Sequence, residues 1–292
     1  MNVLVGVDIG ATKVAIRVVG PDGSVRDLEF SSAGWAPEDV GGAARWIVGH
    51  LESVTGTVAA VGVGAQGCDT QEHCDALASA LASLGFAATV VNDAALLVPA
   101  AGLASGIGVI AGTGSIGVGA SVSGEVLFAG GWGWVLGDEG SAPALVREAT
   151  KSALLAYDGG LVDDGLLEAL LTHYGMATPQ ALARVVNDAP TPANWGPAAV
   201  AVFSAAASGS VLAWEVVDAA AGHLALLVSQ LVARGAVGET VVAAGSVIVK
   251  QRLLASRLRE RLVRSHPGLD FQVLDVPPVA GGVELARRRV SG

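Results

Sequence analysis

Lysine is scarce in this chain: Lys13, Lys151 and Lys250 are the whole supply. With a formal net charge of −10 there is no basic stripe to follow a phosphodiester backbone, which argues against nucleic acid as a partner. Cysteine is scarcer still. Cys68 and Cys74 are too few for a disulfide framework, and the segment between them, C-D-T-Q-E-H-C, matches no common zinc spacing. Asp69, Thr70 and Glu72 read instead as the capped, acidic first turn of a helix over 71–84. Mean hydropathy is positive, yet no apolar run of about 20 residues escapes a charge, Gly or Pro, so no membrane span is expected. The start, M-N-V-L-V-G-V-D, enters a strand with neither a basic leader nor a small-residue cleavage site, and a cytoplasmic location is the expectation. There is no G-x-x-x-x-G-K-[ST] loop, no G-x-S-x-G elbow and no H-E-x-x-H helix. His50, His73, His173, His223 and His266 are scattered without metal spacing.

What is present is apolar and small: 52% hydrophobic residues, 15% charged and 40 glycines in 292 residues, enough for two domains and a large core. Strand-like stretches at 3–8, 14–19 and 24–30 precede a helix over 37–52, a strand at 58–64, the helix 71–84, a strand ending at Asp93 and a short apolar helix. The order then recurs. Strands at 107–111, 116–122 and 125–129 lead to a helical insertion over about 140–234, which Pro190, Pro192 and Pro197 should break. Strand 240–244, a helix opening at Gly245-Ser246, strand 271–274 and a helix at 281–289 complete the second copy. The expected fold is α/β, a duplicated βββαβαβα unit with a cleft between the halves. The expected bounds are 1–104 plus 277–292 for one domain and 105–276 for the other.

Each half opens with a strand, a Gly/Thr turn and a second strand. In D-I-G-A-T-K (8–13), Gly10 lets backbone N–H groups approach a phosphate, Thr12 adds a hydroxyl and Lys13 a charge; an ordinary hairpin with a solvated lysine fits equally well. The second turn carries Thr113 and Gly114. Asp93 ends a buried β-branched strand, and the carboxyl edges of such strands are where ligands bind in open sheets. Two segments, 62–67 and 112–117, match G-x-G-x-x-G. The second continues as a hairpin rather than a helix, whereas the first has strand, glycines and helix in order and leaves a nicotinamide-dependent oxidoreductase as the alternative.

Taken in order, D-I-G-A-T-K, N-D-A-A (92–95), A-G-T-G-S (111–115), G-G-W-G-W-V-L-G-D-E-G-S (130–141) and A-A-G-S-V (243–247) resemble the N-acetylglucosamine kinase branch of the sugar kinase, actin and heat-shock chaperone superfamily, the BadF/BadG type, over essentially the whole chain. The absence of a Cys-rich zinc motif separates it from the repressor-related sugar kinases. The resemblance implies two ribonuclease H-like domains and ATP-dependent phosphorylation of an amino-sugar hydroxyl, O6 in the first instance. By the same resemblance, Gly10, Thr12, Lys13, Thr113 and Gly114 would hold the ATP phosphates, Gly245, Ser246 and Lys250 would approach the adenosine, and Asp8 would orient Mg²⁺. Asp93 would be the general base, and Ser115, Gly131, Trp132, Gly133 and Asp138 would line the sugar site with Trp134 as wall. Asp138 and Glu139 also read as capping acids for the helix near Ser141. The family's sugar-gripping asparagine is missing, with Ala33 and Gly34 in that loop, and Gln66 replaces a small residue. Glucosamine, another amino sugar or N-acetylmuramic acid therefore stand beside N-acetylglucosamine. A homodimer is compatible with this reading. An ATP-binding switch module is the non-enzyme alternative.

Overall fold

The computed structural model describes residues 2–10 and 12–291; Ala11, inside the first turn, lies outside them. The first sheet is built from β1 (Asn2–Ile9), β2 (Lys13–Val19), β3 (Val25–Ser31), β4 (Thr57–Ala65) and β5 (Ala88–Val91), in the order β3-β2-β1-β4-β5. β1, β2 and β3 pair antiparallel, and β4 and β5 add parallel strands. Helices α1 (Val40–Leu51) and α2 (Gln71–Ser83) lie between strands, and β5 runs into a 3₁₀ turn, Asp93–Leu96, and α3 (Leu97–Ala100). The second sheet repeats the plan. β6 (Ile107–Ala111), β7 (Ser115–Ala120), β8 (Val126–Gly130), β9 (Thr240–Ala244) and β10 (Asp270–Val273) are ordered β8-β7-β6-β9-β10, with the same pattern of antiparallel and parallel pairs. The fold is a two-domain α/β duplication.

The insertion consists of α4 (Ala142–Asp158), α5 (Leu166–Tyr174), α6 (Pro179–Asp188), α7 (Pro192–Trp195), α8 (Ala199–Ala207) and α9 (Val211–Ala233). Pro192 begins a helix rather than breaking one: Thr191 caps α7 through Asn194 N, and a proline at a first turn sacrifices no hydrogen bond. By length and composition alone α9 could cross a bilayer. Its buried face, from Ala213 to Leu231, is instead the spine of the second domain's core, and Asp218 on its other side holds Arg257 and Arg261. After β9 come α10 (Ser246–Lys250), α11 (Arg252–Ser265) and, after β10, α12 (Val279–Ser291).

Strand bounds shift by a residue or two, with β5 ending at Val91 and leaving Asp93 outside the strand, and three helix bounds differ for a local reason. α1 starts at Val40 and not at Pro37, because the Asp39 carboxylate accepts the Gly42 N–H at 2.9 Å and sets the first turn there. The helix opening at Gly245 stops at Lys250: Gln251 has left the helical region (φ −111°, ψ 90°), and α11 begins anew. The last helix starts at Val279, two residues early, and packs on β1 and β4 of the first sheet. That packing is a glycine contact. Gly6 and Gly62 are register partners on β1 and β4, and an added Cβ on Gly62 would lie 1.9 Å from the Gly282 carbonyl oxygen. The first G-x-G-x-x-G match is thus helix-to-sheet packing, not a phosphate loop.

Candidate functional site

Both glycine turns are closed by a backbone hydrogen bond, the second one residue tighter than the first. Gly10 N donates to Lys13 O at 3.0 Å, and Gly112 N donates to Gly114 O at 2.9 Å. Each turn leaves a threonine exposed, Thr12 and Thr113. The second turn packs against the end of β9. Gly245 has φ +106°, a backbone only glycine adopts freely, and a Cβ there would sit 2.4 Å from Ala111 O. Gly112, Gly114, Gly245 and Ser246 therefore meet at one sheet edge, with Lys250 exposed one turn further on. Lys13 begins β2, and its exposed ammonium is bonded to Glu29 across the β2–β3 pair at 3.0 Å. The attraction of a cross-strand carboxylate accounts for that position.

Asp93 opens the 3₁₀ turn, which packs against β1 and β4 of the first sheet and β6 and β7 of the second. Its environment is arranged by Asn92, its neighbour in the N-D-A-A motif, and by Asp69. Asn92 is buried; its Oδ1 accepts the Ala94 N–H at 2.9 Å and its Nδ2 donates to Asp69 at 2.8 Å. The Asp93 carboxylate also accepts from Ala94 N, at 3.0 Å. Burial, helped by Asp69, raises the Asp93 pKa to about 6, against the lowering effect of the Ala94 N–H. Asp8, at the end of β1, is pushed to about 7 by burial and then by repulsion from Asp93, with Lys13 pulling the other way. Two carboxylates on neighbouring elements thus resist ionisation together.

The sign of the consequence follows from linkage. A carboxyl whose folded pKa lies above its unfolded value of 3.8 favours folding while protonated, an advantage present below about pH 4 and lost as pH rises through 7. Ionised Asp8 therefore costs on the order of 4 kcal/mol at pH 8, at about 1.36 kcal/mol per decade. Asp8→Asn is expected to raise Tm at pH 8 in EDTA and to leave it near the native value at pH 4. Equal or lower Tm at pH 8 would show that the site does not strain the fold.

The loop 130–141 forms the other wall. Ser115 is buried and its hydroxyl donates to Glu139 O at 2.8 Å, while Gly131 N donates to Ser115 O and Ala142 N to Gly112 O, so the loop is tied to the second turn at three points. Ser141, not either acid, caps α4 through Ala144 N. Asp138 is buried, adopts φ +57°, and keeps Oδ1 without a hydrogen-bond partner among the described residues. Burial raises its pKa. Ser115, Trp132 and Asp138 line a cavity of about 160 Å³ together with Glu139 and His223. Gly131 and Gly133 are outside its lining; both have positive φ and shape the loop that carries Trp132, which is 76% exposed. Trp134 packs edge-to-face on Trp195 at 5.2 Å, and its carbonyl accepts Arg147 Nη1 at 2.7 Å. On the first domain the loop at Ala33 and Gly34 is pinned by two indoles, Trp46 donating to Ala33 O and Trp35 to Gln66 O. His223 had no sequence signal beyond the alanines, Ala219 and Ala220, that clear space beside it on α9.

Residues 5–281 match the model of the BadF/BadG/BcrA/BcrD ATPase family. The N-acetylmuramic acid/N-acetylglucosamine kinase of Clostridium acetobutylicum is 30% identical over 174 residues, covering 54% of this chain and 55% of that protein. The match thus spans about half the length of the curated relative. Among solved structures, a Chromobacterium violaceum protein provisionally named an N-acetylglucosamine kinase aligns over 97% of this chain and 98% of its own, with 25% identity and a TM-score of 0.71. A ROK family glucokinase from Streptomyces griseus, crystallised with glucose and AMPPNP, shares the fold at 19% identity and a TM-score of 0.57 over 99% of this chain and 100% of its own. With nearly its whole length inside the family match and both sheets of the duplicated fold in place, the chain belongs to the BadF/BadG/BcrA/BcrD ATPase family.

Proposed function

We propose that this protein is an ATP-dependent kinase that transfers the γ-phosphoryl group to a hydroxyl, O6, of an amino sugar. The observation that carries the reading is the joint placement of Asp8 and Asp93. Asp8 near the end of β1 is repelled by Asp93, which opens the 3₁₀ turn after β5, and that turn touches both β1 and the sheet that carries the second glycine turn. The relatives named as N-acetylglucosamine or N-acetylmuramic acid kinases support the same class of acceptor. A NAD-dependent oxidoreductase loses its motif, because Gly62 is occupied by helix packing.

In this reading the exposed Thr12 and Thr113 hydroxyls and the turns around Gly10 and Gly114 hold the phosphates from two sides, with Gly245, Ser246 and Lys250 beside the adenosine. Lys13, whose pair with Glu29 is exposed, adds its charge on the side of Asp8. Asp8 and Asp93 are hard oxygen donors whose mutual repulsion a divalent cation relieves, so the residues present fit Mg²⁺, with Asp8 as the group that holds it. When bound, Mg²⁺ would offset charge on the transferred phosphoryl group. Asp93 accepts the proton of the acceptor hydroxyl, and Asp138 Oδ1 accepts a hydrogen bond from another sugar hydroxyl. Closure of the two domains excludes water from the γ-phosphate.

Thermal shift tests the nucleotide class. Mg-ATP is expected to raise Tm, by about 2.7 kcal/mol of stability at one hundred times its Kd, and NAD⁺ to leave it in place. Stabilisation by NAD(H) alone would restore the oxidoreductase, and ATP hydrolysis indifferent to every sugar would favour a switch module. Gly114→Val should raise the KM for ATP by crowding the second glycine turn and, since a Cβ there would lie 3.0 Å from Asp138 Oδ2, the KM for sugar with it. Trp132→Ala should act on sugar KM alone.

A further inference from the structure

The cavity bearing Asp138 does not end the acceptor site. A second cavity, of about 390 Å³, lies between α4 and α9 and shares two walls with the first, Glu139 and His223. That volume is at the lower end of small-molecule sites, and neither the phosphate turns nor Asp93 contributes to it. The two cavities differ in chemistry. In the first, a buried carboxylate oxygen without a partner calls for a neutral donor such as a sugar hydroxyl. The second is lined by three carboxylates, Glu139, Glu148 and Glu215, against one guanidinium, Arg147.

The single cation there is already engaged. Arg147 is bonded to Glu148 at 2.7 Å and to Trp134 O at 2.7 Å, and reaches Glu139 only at 3.9 Å. Glu148 is further matched by Lys151 at 2.6 Å. That leaves Glu139 loosely paired and Glu215 without an ion partner among the described residues. A site of this kind attracts a cation and repels a carboxylate.

Resting on the kinase reading above, we infer that the acceptor extends beyond one ring and carries a free ammonium on the portion past Asp138, as a glucosamine disaccharide does. The ring to be phosphorylated occupies the cavity of Ser115 and Asp138, and the second ring places its ammonium between Glu139 and Glu215 with His223 as the divider. An acid-bearing sugar such as N-acetylmuramic acid is disfavoured by the same charges.

The test is calorimetric binding, run alongside phosphorylation assays with Mg-ATP. The β1→4 glucosamine dimer, its diacetylated counterpart, glucosamine and N-acetylglucosamine are compared on the native protein and on Glu215→Gln, an exposed isosteric change whose fold is checked by Tm. The native protein is expected to bind the free dimer about tenfold more tightly than the diacetylated dimer or glucosamine. Glu215→Gln should shrink that preference about fivefold, and 0.5 M salt should do the same. Equal binding of the two dimers, or a preference that Glu215→Gln leaves intact, overturns the subsite even if monosaccharides are phosphorylated. Failure to phosphorylate any sugar overturns the kinase reading, and the subsite then stands or falls on the binding preference alone.

Discussion

Asp93→Asn is expected to lower kcat by roughly 10²–10⁴, about 3 to 5 kcal/mol of barrier, while the protein melts no lower than the native one. The amide keeps the size of the side chain but cannot take a proton from the acceptor hydroxyl. The competing role is helix capping, and the structure limits it: Ala94 N is accepted by Asn92 Oδ1 as well as by Asp93, so the turn retains its cap. Burial adds a second signature. With its pKa raised to about 6 the native carboxylate is ionised at pH 8 at a cost on the order of 3 kcal/mol, which the neutral amide removes. Loss of turnover with unchanged or higher Tm at pH 8 therefore marks a group kept for chemistry. Near-native turnover would eliminate Asp93 as the base. In the native protein, kcat/KM should fall as pH drops below about 6.

The second large effect belongs to Gly62, and it falls on stability rather than turnover. Gly62→Ala places a methyl 1.9 Å from Gly282 O and 2.9 Å from Leu285 Cβ, and no side-chain rotation can relieve a clash with backbone. α12 must lift from β1 and β4, at a cost of about 3 kcal/mol or more, since overpacking against backbone lies at the upper end of such changes. In a chain of this size that lowers Tm by roughly 6 to 12 °C. A Tm within a degree of native would mean that α12 does not pack as described.

These two residues also show what the amino-acid order reveals. Asp93 was legible because a β-branched strand followed by N-D and an apolar turn is a local pattern that places an acid at a strand mouth. The duplicated hairpins were legible for the same reason: alternation and a glycine turn are readable within ten residues. Gly62 was ambiguous, since a glycine that admits a helix and one that admits a phosphate look identical until residue 282 is placed over it. Pro37 misled because the Asp39 side chain, two residues on, competes for the start of α1. The Asn92–Asp69 bond and the two cavities that His223 and Glu139 line in common bring together residues 23 and 84 positions apart, and no spacing rule spans such separations.

The seating of α12 on β1 and β4 bears on how the protein is made. Translation delivers the first sheet's strands, residues 2–91, long before the helix that covers them, residues 279–291. The second sheet has all five strands, 107–273, before α12 exists. The first half is therefore completed after the second, and its glycine-lined face waits uncovered until residues 279–291 are made, open to chaperones, proteases and mispairing. A lesion within residues 279–291, which form that cover, would register as a defect in the domain of the first sheet.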